Sequence, residues 1–300
     1  MSVFVDRDSR VLIQGFTGQH ATFHAEEAIR NGTVVVGGVT PGKGGTMHLD
    51  LPVFDSVEEA VRETGANVSG IFVPPQAAVD SLYEAIEAGV EVAVIIADGV
   101  PVQDMVRTKR YLAGRSTTII GPNSPGIITP GECKVGIMPS HIYSRGRIGV
   151  VSRSGTLNYE AVAQMTARGL GQSTCVGIGG DPVNGTDFKT VLQAFEQDDD
   201  TDVVVMIGEI GGQQEVEAAR WAAQYMSKPL VAFIAGASAP RGRRMGHAGA
   251  VIAGDADTAT AKLDAIEALG HRVVRNPADI GDTVMRAVKE IGDRGPSQAS

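Results

Sequence analysis

The sequence predicts an α/β protein built from two successive doubly wound parallel sheets. Short β-rich apolar runs alternate with longer stretches of helical character, the pattern of repeated βαβ units. The chain has 38 glycines and only 5% aromatic residues, with no Gly-X-Y period, which points to many tight strand-to-helix turns rather than to collagen or disorder. Its 300 residues, 43% of them hydrophobic, are enough for two ordinary cores, each of roughly 100 to 200 residues.

In chain order, the first series of strands falls at 11–13, 34–36, 70–73, 92–96 and 118–120. Helices are expected near 18–31, 56–64, 76–88 and 101–113. A proline- and glycine-rich stretch from Gly121 to Pro139 has little helical period and is taken as the domain junction. The second series of strands follows at 148–151, 174–178, 203–207, 230–234 and 272–274, with helices near 156–168, 186–197, 212–226, 257–269 and 278–291. The expected domains are 1–122 and 123–293, with a disordered tail over 294–300. Asp198-Asp199-Asp200, between a helix and a strand, reads as a solvated turn rather than a metal site.

The formal net charge of -9 argues against nucleic-acid or membrane-surface binding over the whole surface. Cys133 and Cys175 are the only cysteines and lie in no CxxC or metal-ligand spacing, so two reduced thiols and no metal site are expected. The amino terminus carries no long apolar segment with a cleavage site, and no apolar run approaches a membrane span. A soluble cytoplasmic protein is the expectation.

After the first strand comes Gly15-Phe16-Thr17-Gly18-Gln19-His20-Ala21, in the place of a GxGxxG fingerprint but spaced Gly-x-x-Gly. Glycines there allow a tight turn, and the following helix directs N–H groups and its positive dipole end at an anion. An NAD enzyme usually places Asp or Glu after the second strand, for the ribose hydroxyls. This chain offers instead Lys43 within Gly37-Gly38-Val39-Thr40-Pro41-Gly42-Lys43-Gly44-Gly45, which suits a ribose phosphate: the 3′-phosphate of coenzyme A, or the 2′-phosphate of NADP. The alternative is a solvated lysine on a mobile loop. Asp98, at the carboxyl end of the fourth strand, borders the edge where open parallel sheets bind ligands.

In the second half, the strand 148–151 runs into Ser152-Arg153-Ser154-Gly155-Thr156. Ser154 or Thr156 suits an N-cap, and the same helix start can hold an anion. The serine lacks the glycine that a lipase elbow places two residues before it, so a serine hydrolase is rejected. His247 sits in a glycine-rich segment just after Arg241, Arg243 and Arg244, a setting in which backbone approaches a ligand closely and guanidinium groups orient phosphoryl oxygens. The strand at 203–207 leads to Glu209, and the next parallel strand leads to the His247 loop. Neighbouring strands then bring both to one sheet edge, where a carboxylate on Nδ1 leaves Nε2 as a nucleophile. A basic surface turn and a plain loop acid are the alternatives.

Seven segments in order carry a closer likeness: Gly15-Phe16-Thr17-Gly18, the glycine-lysine loop 37–45, Gly121-Pro122-Asn123, Ser152-Arg153-Ser154-Gly155-Thr156-Leu157, Gly177-Ile178-Gly179-Gly180-Asp181-Pro182, Gly208-Glu209-Ile210-Gly211-Gly212 and Gly246-His247-Ala248-Gly249-Ala250. Together they resemble the α subunit of succinyl-CoA synthetase (succinate–CoA ligase), over residues 3–291. The resemblance implies a Rossmann-like CoA-binding domain followed by a flavodoxin-like domain. It implies CoA contacts at Thr17, Gly18, Gln19, His20, Lys43, Ile96, Ala97 and Asp98, a transiently phosphorylated His247 supported by Glu209, and a phosphate held by Ser154 and Gly155. Tyr159, Asn123 and Ser124 fall on the substrate side.

It further implies that a nucleoside triphosphate with Mg²⁺ phosphorylates the histidine, and that succinate takes the phosphoryl group before the CoA thiol displaces phosphate. The nucleotide site belongs to a separate ATP-grasp β subunit, in keeping with the lack of a GxxxxGK[ST] loop here. Two departures stand out: Ser124 where the family commonly has cysteine, and Ala21 where glycine is usual. A ligase for another dicarboxylate such as malate or citrate, a non-catalytic CoA-binding module and an NADP dehydrogenase are the alternatives.

Overall fold

The computed structural model describes residues 2–294. Contacts divide the chain into two compact units: Ser2–Ser140 together with Val176–Asp187, and His141–Cys175 together with the chain from Phe188 onward.

The first unit is built on β1 (Arg10–Gln14), β2 (Val34–Val39), β3 (Met47–His48), β4 (Leu51–Phe54), β5 (Val68–Ile71), β6 (Val92–Ile95) and β7 (Thr118–Ile120), in the order β3-β4-β2-β1-β5-β6-β7. All neighbours are parallel except the short hairpin β3–β4. Without β3, the strands run third-second-first-fourth-fifth-sixth, the Rossmann-like order, and the direction of winding reverses at β1. Helices α1 (Gln19–Arg30), α2 (Val57–Thr64), α3 (Pro75–Glu87) and α4 (Val102–Tyr111) make the crossovers. Leu12, Ile71, Ile95 and Ile119 from the strands meet Leu82, Ile86 and Met105 from the helices in one buried core, as expected for parallel strands covered on their faces.

The stretch expected to be an irregular junction holds a second hairpin, β8 (Gly126–Thr129) with β9 (Cys133–Gly136). Its apolar residues Ile127, Ile128 and Val135 are buried, but flanking glycines and prolines masked the strand pattern in the sequence. The compact units accordingly divide after Ser140, not at the 122/123 boundary expected from the sequence. Thr129 Oγ1 donates to Val5 O at 2.8 Å, and the Lys134 N–H donates to Thr33 Oγ1 at 2.8 Å, which fastens the hairpin to the amino-terminal unit.

The second unit comprises β10 (Arg145–Ser152), α5 (Gly155–Ala167), β11 (Gln172–Gly177), α6 (Phe188–Glu196), β12 (Val203–Glu209), α7 (Gln214–Tyr225), β13 (Leu230–Ala235), α8 (Ala259–Ala268), β14 (Arg272–Val274) and α9 (Ile280–Arg294). Its strand order, β11-β10-β12-β13-β14, is second-first-third-fourth-fifth, the flavodoxin-like winding. Every residue of β12 is buried. The pairs β10–β12, β12–β13 and β13–β14 are parallel, with Ser152 opposite Ile207 and Glu209 opposite Ala235. Their carboxyl ends thus deliver residues 152–155, 209–212 and the loop 236–254 to one edge. The disordered tail expected at 294–300 lies outside the described residues, apart from Arg294, which ends α9.

Candidate functional site

The expected His247–Glu209 pair is formed. His247 Nδ1 lies 2.6 Å from Glu209 Oε2; the histidine side chain is 28% exposed and the glutamate 8%. A carboxylate at Nδ1 accepts that nitrogen's proton, which selects the tautomer with an unprotonated Nε2. The approach of the two segments depends on Gly211. Its φ is 89°, and a Cβ there would collide with Gly249 O and Val251 of the His247 loop, so glycine lets the loop close onto the end of β12. The loop fixes itself through Met245 N–H to Ala250 O (3.0 Å) and Ala250 N–H to His247 O (3.2 Å).

Behind Glu209 lies a buried charge network. Arg153 Nη1 donates to Glu209 Oε1 at 3.3 Å, and its Nη2 donates to Gln214 Oε1 at 3.0 Å. Lys262, fully buried, donates through Nζ to Glu209 O (2.8 Å), Gly211 O (2.6 Å) and Glu215 Oε2 (2.6 Å). Glu215 Oε1 accepts the Glu209 N–H at 3.2 Å and stands 3.9 Å from Arg153 Nε. Two cations balance two carboxylates, and both main chain and side chain of Glu209 are held. None of Arg153, Gln214, Glu215 or Lys262 was singled out from the sequence. The one signal was a lysine on the apolar stripe of α8, in line with Ala259, Leu263 and Ile266.

Ser154 caps α5, its Oγ accepting the Leu157 N–H at 3.3 Å, and Gly155 opens the helix. The first turn of such a helix presents N–H groups and a positive dipole end. Arg241 pairs with Asp255, while Arg243 and Arg244 are exposed. Tyr159 is half-buried in α5, and burial raises its hydroxyl pKa. Burial raises that of Tyr143 too, whose hydroxyl accepts Asn158 Nδ2 at 3.2 Å.

In the first unit, Lys43 Nζ donates to Thr17 Oγ1 at 2.9 Å, and the Thr17 N–H donates to Thr40 Oγ1 at 3.3 Å. The two glycine loops after β1 and β2 therefore meet. Gly18 caps α1 without a side-chain hydrogen bond, and Gln19 and His20 begin the helix, exposed. A cavity of about 450 Å³ is lined by His20, His24, Phe72, Pro74, Ile96, Ala97, Asp98 and Ile137 among others, which brings Ile96, Ala97 and Asp98 together with His20. His24 and Phe72 are additions to the expected set. The rings stack at 5.8 Å and 20°, and His24 Nδ1 is buried without a hydrogen-bond partner. Burial, then the charges of Lys134 and His20, lower the His24 pKa, against an opposing pull from Glu27. Ala21 is buried in α1 and faces the core.

Asn123 adopts φ 53° and donates through Nδ2 to Asp181 Oδ1 at 3.1 Å. Ser124, expected on the substrate side, is engaged with main chain. It is buried, its Oγ donates to Gly177 O at 2.5 Å, and it accepts the Gly126 N–H at 2.9 Å. The hydroxyl proton and one lone pair are thus engaged by main chain, which ties this loop to the end of β11.

The strand orders and the two loop systems define a class: a CoA-binding domain followed by a CoA-ligase domain. The chain matches the CoA binding domain family over residues 6–99 and the CoA-ligase family over residues 151–272. It is 54% identical over 292 residues to the α subunit of ADP-forming succinate–CoA ligase from Staphylococcus aureus, and 53% identical over the same length to that from Staphylococcus epidermidis; each match covers 97% of both chains. The chain belongs to the succinate–CoA ligase α-subunit family. Among solved structures it resembles ATP citrate lyase from Methanothrix soehngenii, in complex with citrate and coenzyme A, with TM-score 0.86 and 25% identity. That match covers 99% of this chain and 52% of the other, so this chain spans about half of the lyase. A dinucleotide-forming acetyl-coenzyme A synthetase 1 from Candidatus Korarchaeum cryptofilum shares the fold, with TM-score 0.71 and 18% identity over 92% of this chain and 60% of the other.

Proposed function

We propose that this chain is the α component of an ADP-forming succinate–CoA ligase and that His247 is its phosphoryl carrier. The observation that carries the proposal is the 2.6 Å contact between His247 Nδ1 and Glu209, with Glu209 itself held by Arg153, Glu215 and Lys262. His247 Nε2 attacks the terminal phosphorus of the nucleoside triphosphate, the P–O bond to the diphosphate breaks and the diphosphate leaves. Glu209 stabilises the ring while it carries positive charge in that step. A succinate carboxylate oxygen then takes the phosphoryl group from Nε2, giving succinyl phosphate and the free imidazole. The CoA thiolate attacks the acyl carbon and inorganic phosphate departs, leaving succinyl-CoA.

The start of α5 at Ser154 and Gly155 supplies N–H donors and a dipole end for the transferred phosphoryl group. CoA is assigned to Thr17, Gly18, Gln19, His20 and Lys43 and to the cavity at Ile96, Ala97 and Asp98, with Lys43 on the ribose phosphate. Tyr159 and Asn123 are assigned to the acid. The nucleotide and its Mg²⁺ are assigned to an ATP-grasp β partner; among the described residues no group of three or more His, Cys, Asp or Glu could hold a metal ion. A cytoplasmic setting is proposed with the same reading; among the described residues no helix is long and apolar enough to cross a membrane.

The test combines this chain with its β partner, Mg²⁺ and γ-labelled nucleoside triphosphate. Acid-labile, base-stable label is expected on this chain and is expected to vanish in His247→Asn. Label that persists in that variant places the nucleophile elsewhere. Succinate, and not malate or citrate, is expected to discharge the label with release of acyl phosphate; discharge by malate alone moves the enzyme to a neighbouring acid.

A further inference from the structure

We infer that Asp55 is a positioning residue for recognition of the CoA ribose phosphate, acting by folding the glycine loop that carries Lys43. This inference rests on the assignment of that phosphate to Lys43. A lysine followed by Gly44 and Gly45 and preceded by Gly42 belongs to the most conformationally free kind of backbone, and an unfixed loop of that composition would give up much of its binding energy to ordering. Here the loop is tied. Asp55 Oδ1 accepts the Gly42 N–H at 2.7 Å and the Gly44 N–H at 2.9 Å, so one oxygen clasps the amides on both sides of Lys43. A Cβ at Gly44 would stand 2.5 Å from Asp55 Oδ2, so the loop rests directly on the carboxylate.

The main chain of Lys43 is fixed as well. Its N–H donates to Thr40 O at 3.0 Å, and its carbonyl accepts Thr46 Oγ1 at 2.7 Å. The far end of the loop is pinned to α1 where His48 Nε2 meets Thr22 Oγ1 at 2.8 Å. What remains free to reach a ligand is the lysine side chain, directed at Thr17.

The sign of the electrostatics makes the inference testable. A carboxylate beside a phosphate site repels the phosphate, so charge alone predicts that removing it tightens binding. Loop organisation predicts the reverse, and it also predicts that an uncharged acceptor of the same shape suffices.

The experiment measures CoA and 3′-dephospho-CoA binding by calorimetry to this chain assembled with its β partner. For Asp55→Ala, CoA affinity is expected to fall about tenfold, the scale of losing two hydrogen bonds to a charged acceptor in a partly exposed loop, while 3′-dephospho-CoA stays within about twofold of wild type. For Asp55→Asn, whose amide oxygen still accepts both N–H groups, CoA is expected to bind at least as tightly as to wild type. Three results overturn the inference: an Asp55→Ala protein that binds CoA as well as or better than wild type, equal losses for both ligands, or an Asp55→Asn protein as weak as Asp55→Ala. A wild-type protein that does not distinguish CoA from 3′-dephospho-CoA overturns instead the assignment of the phosphate to Lys43, and Lys43→Met then has no effect on the preference.

Discussion

Lys262→Met tests how the catalytic pair is supported. The Lys262 and Glu215 side chains are 0% and 1% exposed and lie 2.6 Å apart. Methionine matches the length of the aliphatic stem but removes the charge and every donor. Glu215 is then left in the interior with Arg153 Nε at 3.9 Å as its remaining ionic contact in this group, and the carbonyls of Glu209 and Gly211 lose the same donor. Breaking one side of a buried ion pair costs about 3–5 kcal/mol, which at about 2–4 °C per kcal/mol for a unit of this size lowers the melting temperature by roughly 6–20 °C. The chain has a single tryptophan, Trp221, and it lies in α7, so urea titration followed by its fluorescence reports on the second unit. A double variant, Lys262→Met with Glu215→Leu, is expected to recover most of the stability, since an apolar pair replaces a buried ionic one at little net cost. Phosphorylation of His247 should stay slow in that protein, because the Glu209 N–H and C=O have both lost partners. A single-variant cost below about 1 kcal/mol, or a double variant no more stable than the single one, refutes the view that this pair is a coupled support.

The folded-state pKa of His24 lies below its unfolded value of about 6.5, so the folded state binds fewer protons as the pH falls through that range. Its stability contribution is therefore complete above the unfolded pKa and is lost on acidification toward the folded one; urea midpoints at pH 7.5 and 5.5 should differ less in His24→Phe than in wild type, and an equal difference speaks against His24 as the source. Burial raises the Cys133 thiol to about 12 and Cys175 well above its usual value, so at pH 8 iodoacetamide should label neither cysteine in the folded protein and both in urea; rapid native labelling at either position contradicts the packing. Gly38→Ala places a Cβ 2.1–2.3 Å from Cγ, Cβ and Cδ1 of the fully buried Phe16, and an overpacking cost of about 1–3 kcal/mol is expected in thermal denaturation; an unchanged midpoint would mean that Phe16 has room to move.

Most of the fold was legible because parallel strands buried on both faces read as plain apolar runs. Val203 to Ile207 and Val92 to Ile95 are of this kind, and so are the strand ends that carry Glu209 and Asp98. The hairpins at β3–β4 and β8–β9 were not legible, because strands of two to four residues interrupted by Gly and Pro have too few positions to show a period. His247, Glu209 and Lys43 stood out because a polar group beside glycines at a strand end has few structural uses. Arg153, Glu215 and Lys262 did not, because their partners come from three separate segments, and only tertiary packing shows that their charges cancel. For Ser124 the sequence shows a hydroxyl in a motif-like loop but not the two main-chain bonds that hold it there.

The return of Val176–Asp187 to the first unit limits how the chain can be divided. Thr186 Oγ1 donates to Ile119 O at 2.6 Å, and Lys109 Nζ donates to Asn184 O at 3.0 Å, so this segment completes the first unit although it is encoded within the second. No single cut in the gene separates the units: a cut after Ser140 leaves this segment on the second fragment without Ile119 or Asn123, and a cut after Asp187 takes residues 141–175 away from the second unit. The two halves are thus separate in architecture but interleaved in inheritance. A grafting experiment that exchanges CoA-binding units between relatives has to move both stretches together.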